Sequence, residues 1–328
     1  MNSSARELAE KLAWETDTRS SIEIHVGMKM VYNRLPESMS NMDFNTVDQT
    51  YIETASGQRF SDQRTSLDGK LFSRHTDYCD GKRSGRLVYN RDDLPSQELF
   101  TIKRFFGKEE QSRKIDRPRP LDLLSIGRKP LAQALVESAI PLGEGRIIDR
   151  PCDLFLFERV PSAVPQDHVY YLDRETGVPL HVMSFLDRPA RERNEPVWTW
   201  TAESLDEVDG HHIPFKSTMV APLRGPQKGI TITHHFTVSS VQFDQKYPPS
   251  MFWPTYQPGL GVVDTISNKT MIVPGKAPEP QAKVTMAVGE PIRATPASDG
   301  SRVASVVALA LGVSLLAAGL FAYFRRSP

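Results

Sequence analysis

Cysteine is scarce: Cys79 and Cys152 are the only two in 328 residues, which excludes a small scaffold held by a disulfide framework. They leave two readings open, a single bridge in an oxidising compartment or two independent buried thiols. An excess of charge of one sign is also missing. The 40 basic residues balance 40 acidic ones, and with Arg302, Arg325 and Arg326 set apart at the C-terminal end, residues 1–300 hold 37 bases against 40 acids. A body so balanced has no electrostatic footprint for nucleic acid. The first 30 residues lack the apolar run of about 7–15 residues that an export signal needs. Gly-x-Ser-x-Gly, His-Glu-x-x-His, a phosphate loop and Gly-x-Gly-x-x-Gly after a strand are all absent, so neither an enzyme nor a cofactor is expected.

What is present begins with one long apolar run. Residues 303–324 read VASVVALALGVSLLAAGLFAYF without a charge and are followed by Arg325 and Arg326. At about 1.5 Å per residue the run spans roughly 33 Å, enough for a single-pass C-terminal membrane helix in a bilayer. Ala304, Ala308 and Gly312 recur every fourth residue, as in helices that approach closely in membranes. Before it, residues 270–301 contain no aromatic residue and five prolines, the composition of a linker with polyproline character. The expected division is therefore a folded body over 1–269, a linker over 270–301 and an anchor with a basic tail over 302–328. With no export signal in view, either translation starts upstream of Met1 or the chain is tail-anchored with a cytoplasmic body.

Period-two alternation dominates the body. Ile22, Ile24, Val26, Met28, Met30 and Tyr32 alternate with Ser21, Glu23, His25, Gly27, Lys29 and Val31, predicting a long strand with one apolar face. Further strands are expected at 49–55, 58–65, 70–78 and 85–89, then at 145–148, 152–160, 168–172, 179–185, 197–203, 213–220 and 229–242. Between the two sets a helical insertion is expected over 96–140, with pieces at 98–110, 121–126 and 131–140. Ser4 and Glu7 fit a capping box that opens an N-terminal helix through Leu8 and Leu12. With no βαβ rhythm, the fold class is mainly β with α: a single curved antiparallel sheet, an unclosed β-barrel, under a helical lid.

Three segments then carry a resemblance: Gly145-Glu-Gly-Arg-Ile-Ile-Asp-Arg-Pro-Cys152, Tyr170-Tyr-Leu-Asp-Arg-Glu-Thr-Gly-Val-Pro179 and Val208-Asp-Gly-His-His-Ile-Pro214. Together with the order of elements, they resemble the LolA-like superfamily of outer-membrane lipoprotein-sorting proteins over roughly residues 5–245. The resemblance implies a half-barrel with an apolar cavity, a periplasmic body and a lipid or lipoprotein acyl chain as partner. The family's carriers are soluble, whereas this chain has a membrane anchor, so the bilayer itself is a second expected partner. The resemblance also implies an alternative, an RseB-type envelope sensor or scaffold that acts through another membrane protein.

An acyl chain needs a concave apolar wall with few polar groups. Ile24, Val26, Met28 and Met30 on the first strand, with Trp198 and Trp200 two apart on another, are the candidates; the same side chains would equally form a packed core. His211–His212 and His234–His235 are the candidate metal or hydrolytic groups, and only one histidine of each doublet can face a given side of a sheet. A hairpin centred at Arg224 or Gly225 would offset His212 from His234 by two to four residues, with no third ligand beside them. Arg113, Lys114, Arg117 and Arg119, and Arg188, Arg191 and Arg193, are basic clusters within reach of anionic headgroups, although acids lie among them.

Overall fold

A computed structural model of the chain describes residues 3–17, 19–33, 45–67, 70–89, 99–104, 118, 121–127, 129–161, 164–223, 229–256, 258, 260–264 and 269–274. The expected span 303–324 lies outside the described residues, as does nearly all of the expected linker. No helix among the described residues is long and apolar enough to cross a membrane.

Fifteen strands form one open sheet. In chain order they are Ser21–Tyr32 (β1), Asn45–Thr54 (β2), Arg59–Leu67 (β3), Lys70–Cys79 (β4), Arg83–Tyr89 (β5) and Leu99–Arg104 (β6), then, after the two-residue strands Ser125–Ile126 (β7) and Lys129–Pro130 (β8), Ile140–Ile147 (β9), Arg150–Val160 (β10), Gln166–Asp173 (β11), Pro179–Phe185 (β12), Trp198–Val208 (β13), His211–Pro222 (β14), Thr231–Phe243 (β15), Gly261–Asp264 (β16) and Lys269–Ile272 (β17). Their spatial order is β17-β16-β6-β5-β4-β3-β2-β1-β15-β14-β13-β12-β11-β10-β9, while β7 and β8 pair separately. Every contact in the large sheet is antiparallel except that of β16 with β6. β1 lies at the middle, joined to β2 on one side and to β15 on the other. The expected unclosed, mainly β architecture is therefore the one observed.

Two expectations are corrected. Of the helical piece expected at 98–110, the described part Leu99–Arg104 is instead a strand held between β5 and β16. A short segment such as LFTI, with three apolar residues in four, reads equally well as helix or strand in isolation, and here sheet neighbours on both sides satisfy its backbone. The insertion over 96–140 is thus only partly helical, with a 3-10 turn at Leu121–Leu124 and a helix at Leu131–Ser138. The body also runs past 269, since β17 pairs with β16 through Lys269–Ile272.

Among the described residues, three helices lie against the sheet: Ser3–Asp17 (α1), Leu131–Ser138 (α2) and Arg188–Glu192 (α3). α1 buries Ala5, Leu8, Ala9 and Leu12, an i, i+3, i+4, i+7 stripe. They join Leu131, Ala134 and Leu135 of α2 and Ile24, Tyr51, Phe155, Tyr170, Leu180 and Trp200 of the sheet in the main core. Ser4 does not act only on its own helix: its hydroxyl donates to Asp153 on β10.

The apolar surface changes face along the sheet. Residues directly opposite across antiparallel strands share a face, so the row Ile24, Tyr51, Ser61, Asp77, Arg86 runs along one side. It starts apolar and ends as an ion pair, with the Arg86 guanidinium donating to both oxygens of buried Asp77 at 2.6 and 2.9 Å. On the opposite face of β4 and β5, Tyr78 and Leu87 pack with Trp253, Tyr256, Leu260 and Val262 of the C-terminal segment. In the other half, Leu156, Val169 and Phe185 are covered from that opposite face by Ala190 of α3.

Candidate ligand-binding site

α1 is seated by the turns that carry the family-like segments. Between β11 and β12, Asp173 is fully buried and accepts from Arg150 Nε at 2.9 Å and Nη2 at 2.8 Å, and from the Thr176 backbone N–H and hydroxyl at 3.0 and 2.8 Å. Burial opposes its ionisation, but Arg150 and the Thr176 donors outweigh it and hold the carboxyl below the usual carboxylate range. Gly177 follows at φ +77°, where a Cβ would stand 2.9 Å from the Leu8 carbonyl oxygen. Only glycine meets both conditions. Lys11 donates to the Arg174 carbonyl at 2.7 Å from the same helix. At the β13–β14 turn, Asp209 and Gly210 both have positive φ, the two-residue hairpin geometry. Next to it, buried His211 stacks on Trp14 of α1 at 5.0 Å and contacts Phe243 at 4.6 Å.

With α1 and α2 fixed, the inner face of β1 and β13–β15 divides into two regions. Of the six apolar candidates, Ile24, Val26 and Trp200 are buried in the core, whereas Met28 and Trp198 are half-buried at its margin. Met30 is half-buried and stands outside the core. The register sets Met30 opposite His234, His234 opposite Met219, and Met219 opposite Trp200. The next row on one side is Met28, Phe236, Ser217 and Ala202; on the other, Tyr32 faces Ile232 and Ile232 faces Ala221. Met28, Met30, Tyr32, Met219, Ala221 and Ile232 are all half-buried. They form a mainly apolar strip on three adjacent strands, β1, β15 and β14, with His234 at its centre. Polar groups sit on these rows too: His234, whose Nδ1 meets Met28 Sδ at 3.4 Å, the Tyr32 hydroxyl, and Trp200 Nε1 and Ser217 Oγ, both buried and without a hydrogen-bond partner. Trp200 and Ser217 are diagonal neighbours on one face, close enough for one small group to meet both.

Two clefts open elsewhere. One of about 460 Å³ lies at the start of α1 beside Glu7, Glu144, Asp153 and Arg174, and another of about 480 Å³ follows the α1–α2 seam at Ala9, Ala13, Ala132 and Val136. Neither is lined by the six candidates.

The histidine doublets do not converge. Since Met219 faces His234, His212 is offset by seven residues, roughly 24 Å along the strand; the 223–230 connection is longer than a tight turn at Arg224 would be. His212 stands 4.0 Å from Glu207, and His234 stacks on Phe236 at 6.2 Å. Among the described residues no group of three or more His, Cys, Asp and Glu side chains could hold a metal ion. Cys79 and Cys152 are unbridged and buried. Burial raises both thiols, Cys152 to about 11, which keeps them protonated and unreactive at neutral pH. The basic cluster at 113–119 lies outside the described residues; Arg188, Arg191 and Arg193 pair with Glu192, Asp167 and Glu195.

One chain of polar groups has no counterpart among the sequence expectations. Tyr247 donates to Glu23 at 2.7 Å, Glu23 meets His25 Nε2 at 2.9 Å, and Thr50 meets His25 Nδ1 at 3.0 Å. The alternation of β1 places it on the face away from the apolar strip, where it ties β1 and β2 to the segment after β15. Burial and the bond to Glu23 raise the Tyr247 phenol, so it stays protonated. The signal for it was in the polar positions of β1, which alternate with the apolar ones.

No family model matches the chain, and no curated protein matches it. Solved structures do. A DUF1329 family protein from Desulfovibrio piger is 11% identical with a TM-score of 0.46, over 76% of this chain and 96% of that one. A LolA superfamily protein from Nitrosomonas europaea is 11% identical with a TM-score of 0.43, over the same shares. The Pseudomonas aeruginosa MucA/MucB complex gives 13% identity and a TM-score of 0.24, over 74% and 99%. At such identities the likeness concerns the course of the chain alone, and the functional reading rests on the strip.

Proposed function

We propose that this chain is a membrane-tethered, non-enzymatic binding domain of the cell envelope that holds an acyl chain, a lipid or a lipoprotein segment. The tether is the apolar run 303–324. The observation that carries the reading is the half-buried strip of Met28, Met30, Met219, Ala221 and Ile232 on one face of the sheet. Each ligand methylene removed from water there contributes about 0.8 kcal/mol, and methionine adapts to chains of differing shape. Trp200 Nε1 and Ser217 Oγ give the strip a polar end, with donors for an ester or carboxyl oxygen.

A carboxylate on such a wall stays charged beside His234, which lies opposite Met219, and opposes an apolar ligand. Met219→Glu is therefore expected to weaken uptake of a fluorescent fatty acid, titrated against the full chain in nanodiscs, by about tenfold or more. Thr237→Glu, on the opposite face of β15, is expected to leave uptake unchanged. Equal binding by wild type and Met219→Glu would reject the strip as the site.

A further inference from the structure

Among the described residues β9 is the end strand of the sheet order, paired to β10 on one side only. A strand edge presents unpaired N–H and C=O groups and is a template for another strand. The first half of β9 is blunted by Pro141 and by the register break at Leu142. The second half has no such protection, and Gly143, Glu144 and Arg146 are exposed. Leu142, at the register break, and Ile148, in the β9–β10 turn at φ +45°, are 49% and 38% exposed.

The exposed stretch is complementary to itself. Around Gly145, Glu144 and Arg146 stand one residue to either side, and Leu142 and Ile148 three residues to either side. We propose that two copies of this chain associate through β9, antiparallel about a two-fold axis at Gly145, so that the sheet continues across the interface. In that register Glu144 of one copy faces Arg146 of the other, twice by symmetry, and the Leu142 bulge of each copy lies beside the Ile148 turn of the other. A two-fold contact of one patch with itself is the commonest way soluble chains pair, and strand addition supplies main-chain hydrogen bonds while side chains set the register. Glu144 already accepts from Arg174 through Oε1 at 2.5 Å, and a carboxylate has a second oxygen for a further donor. Gly145 has no side chain to hold the strands apart at the axis.

The register makes the test specific. The full-length chain is expected to sediment as a dimer in detergent, Glu144→Arg and Arg146→Glu are each expected to weaken association by about tenfold or more, and the double exchange Glu144→Arg/Arg146→Glu is expected to restore it. Cysteines at 144 and 146 in a Glu144→Cys/Arg146→Cys variant should form intermolecular disulfides under mild oxidation. Arg146→Glu leaves the Glu144–Arg174 pair in place, so its unfolding midpoint is expected to match wild type. A monomeric wild type overturns the proposal. So does a dimer that persists through both single exchanges, since it is held elsewhere, for instance by the 303–324 run. Single exchanges that the double exchange fails to rescue, with β9 still required, would point to an extended segment of another protein as the occupant and would equally overturn it.

Discussion

Asp173→Ala is expected to lower the stability of the folded body by about 3 kcal/mol, read as a shift in the urea midpoint of tryptophan fluorescence. Removing one partner of a buried ion pair costs about 3–5 kcal/mol. The lower end applies because Arg150 is part-exposed and keeps Glu175 at 2.6 Å. The loss also reaches beyond the pair, because the Thr176 N–H and hydroxyl lose their acceptor and Gly177, against which α1 rests, loses its fixed turn. A pH dependence follows from the same carboxyl. Its folded pKa lies below the unfolded value, near 3.9 for an aspartate, so its contribution is complete above about pH 5 and is lost as pH falls through the folded pKa. Wild type should destabilise steeply in acid, and Asp173→Ala should show a shallower acid limb. Equal midpoints at pH 7 would contradict the role of this turn in holding α1.

The second large effect is expected at Trp200. It is fully buried, with Met219 opposite on one side and Val182 on the other. Trp200→Ala removes its apolar surface and leaves a cavity between the packed core and the strip, at a cost of about 3–5 kcal/mol. Trp200→Phe keeps an aromatic ring and removes a buried N–H that has no partner. An unmade buried hydrogen bond costs about 1–3 kcal/mol, so the phenylalanine variant should lose much less stability than the alanine variant. If the N–H serves a ligand oxygen, fatty-acid affinity in Trp200→Phe should fall more than its stability does. A Trp200→Phe variant as unstable as Trp200→Ala would place the value of this residue in its N–H and contradict the packing account.

The residues best read from sequence are those whose role is set by neighbours along the chain. β1 follows its alternation from Ser21 to Tyr32, and β12 occupies the expected 179–185. Asp209–Gly210 and Thr176–Gly177 are legible as turns because their backbone demands are local. That both turns receive α1, through Trp14 and Leu8, depends on contacts more than 150 residues apart, for which local pattern has no signal. The strand at Leu99–Arg104 is decided likewise by β16, a partner from far along the chain. In β3–β5 the apolar side chains Phe60, Tyr78 and Leu87 mark the face opposite to the one β1 buries. Only the placement of Trp253, Leu260 and Val262 shows why. At the strip, the candidates Ile24 to Met30 share a face as expected, and what divides them is the packed core, which takes in Ile24 and Val26, borders Met28 and leaves Met30 out.

If the strip beyond the helices, and not the core beneath them, receives an apolar chain, a diazirine-bearing fatty acid irradiated with the full chain in nanodiscs will mark it. Peptide mass spectrometry is expected to find adducts within the folded body at Met28, Met30, Met219 and Ile232, displaced by unlabelled palmitate. Adducts confined to residues 303–324, or spread over the body and indifferent to palmitate, would contradict it.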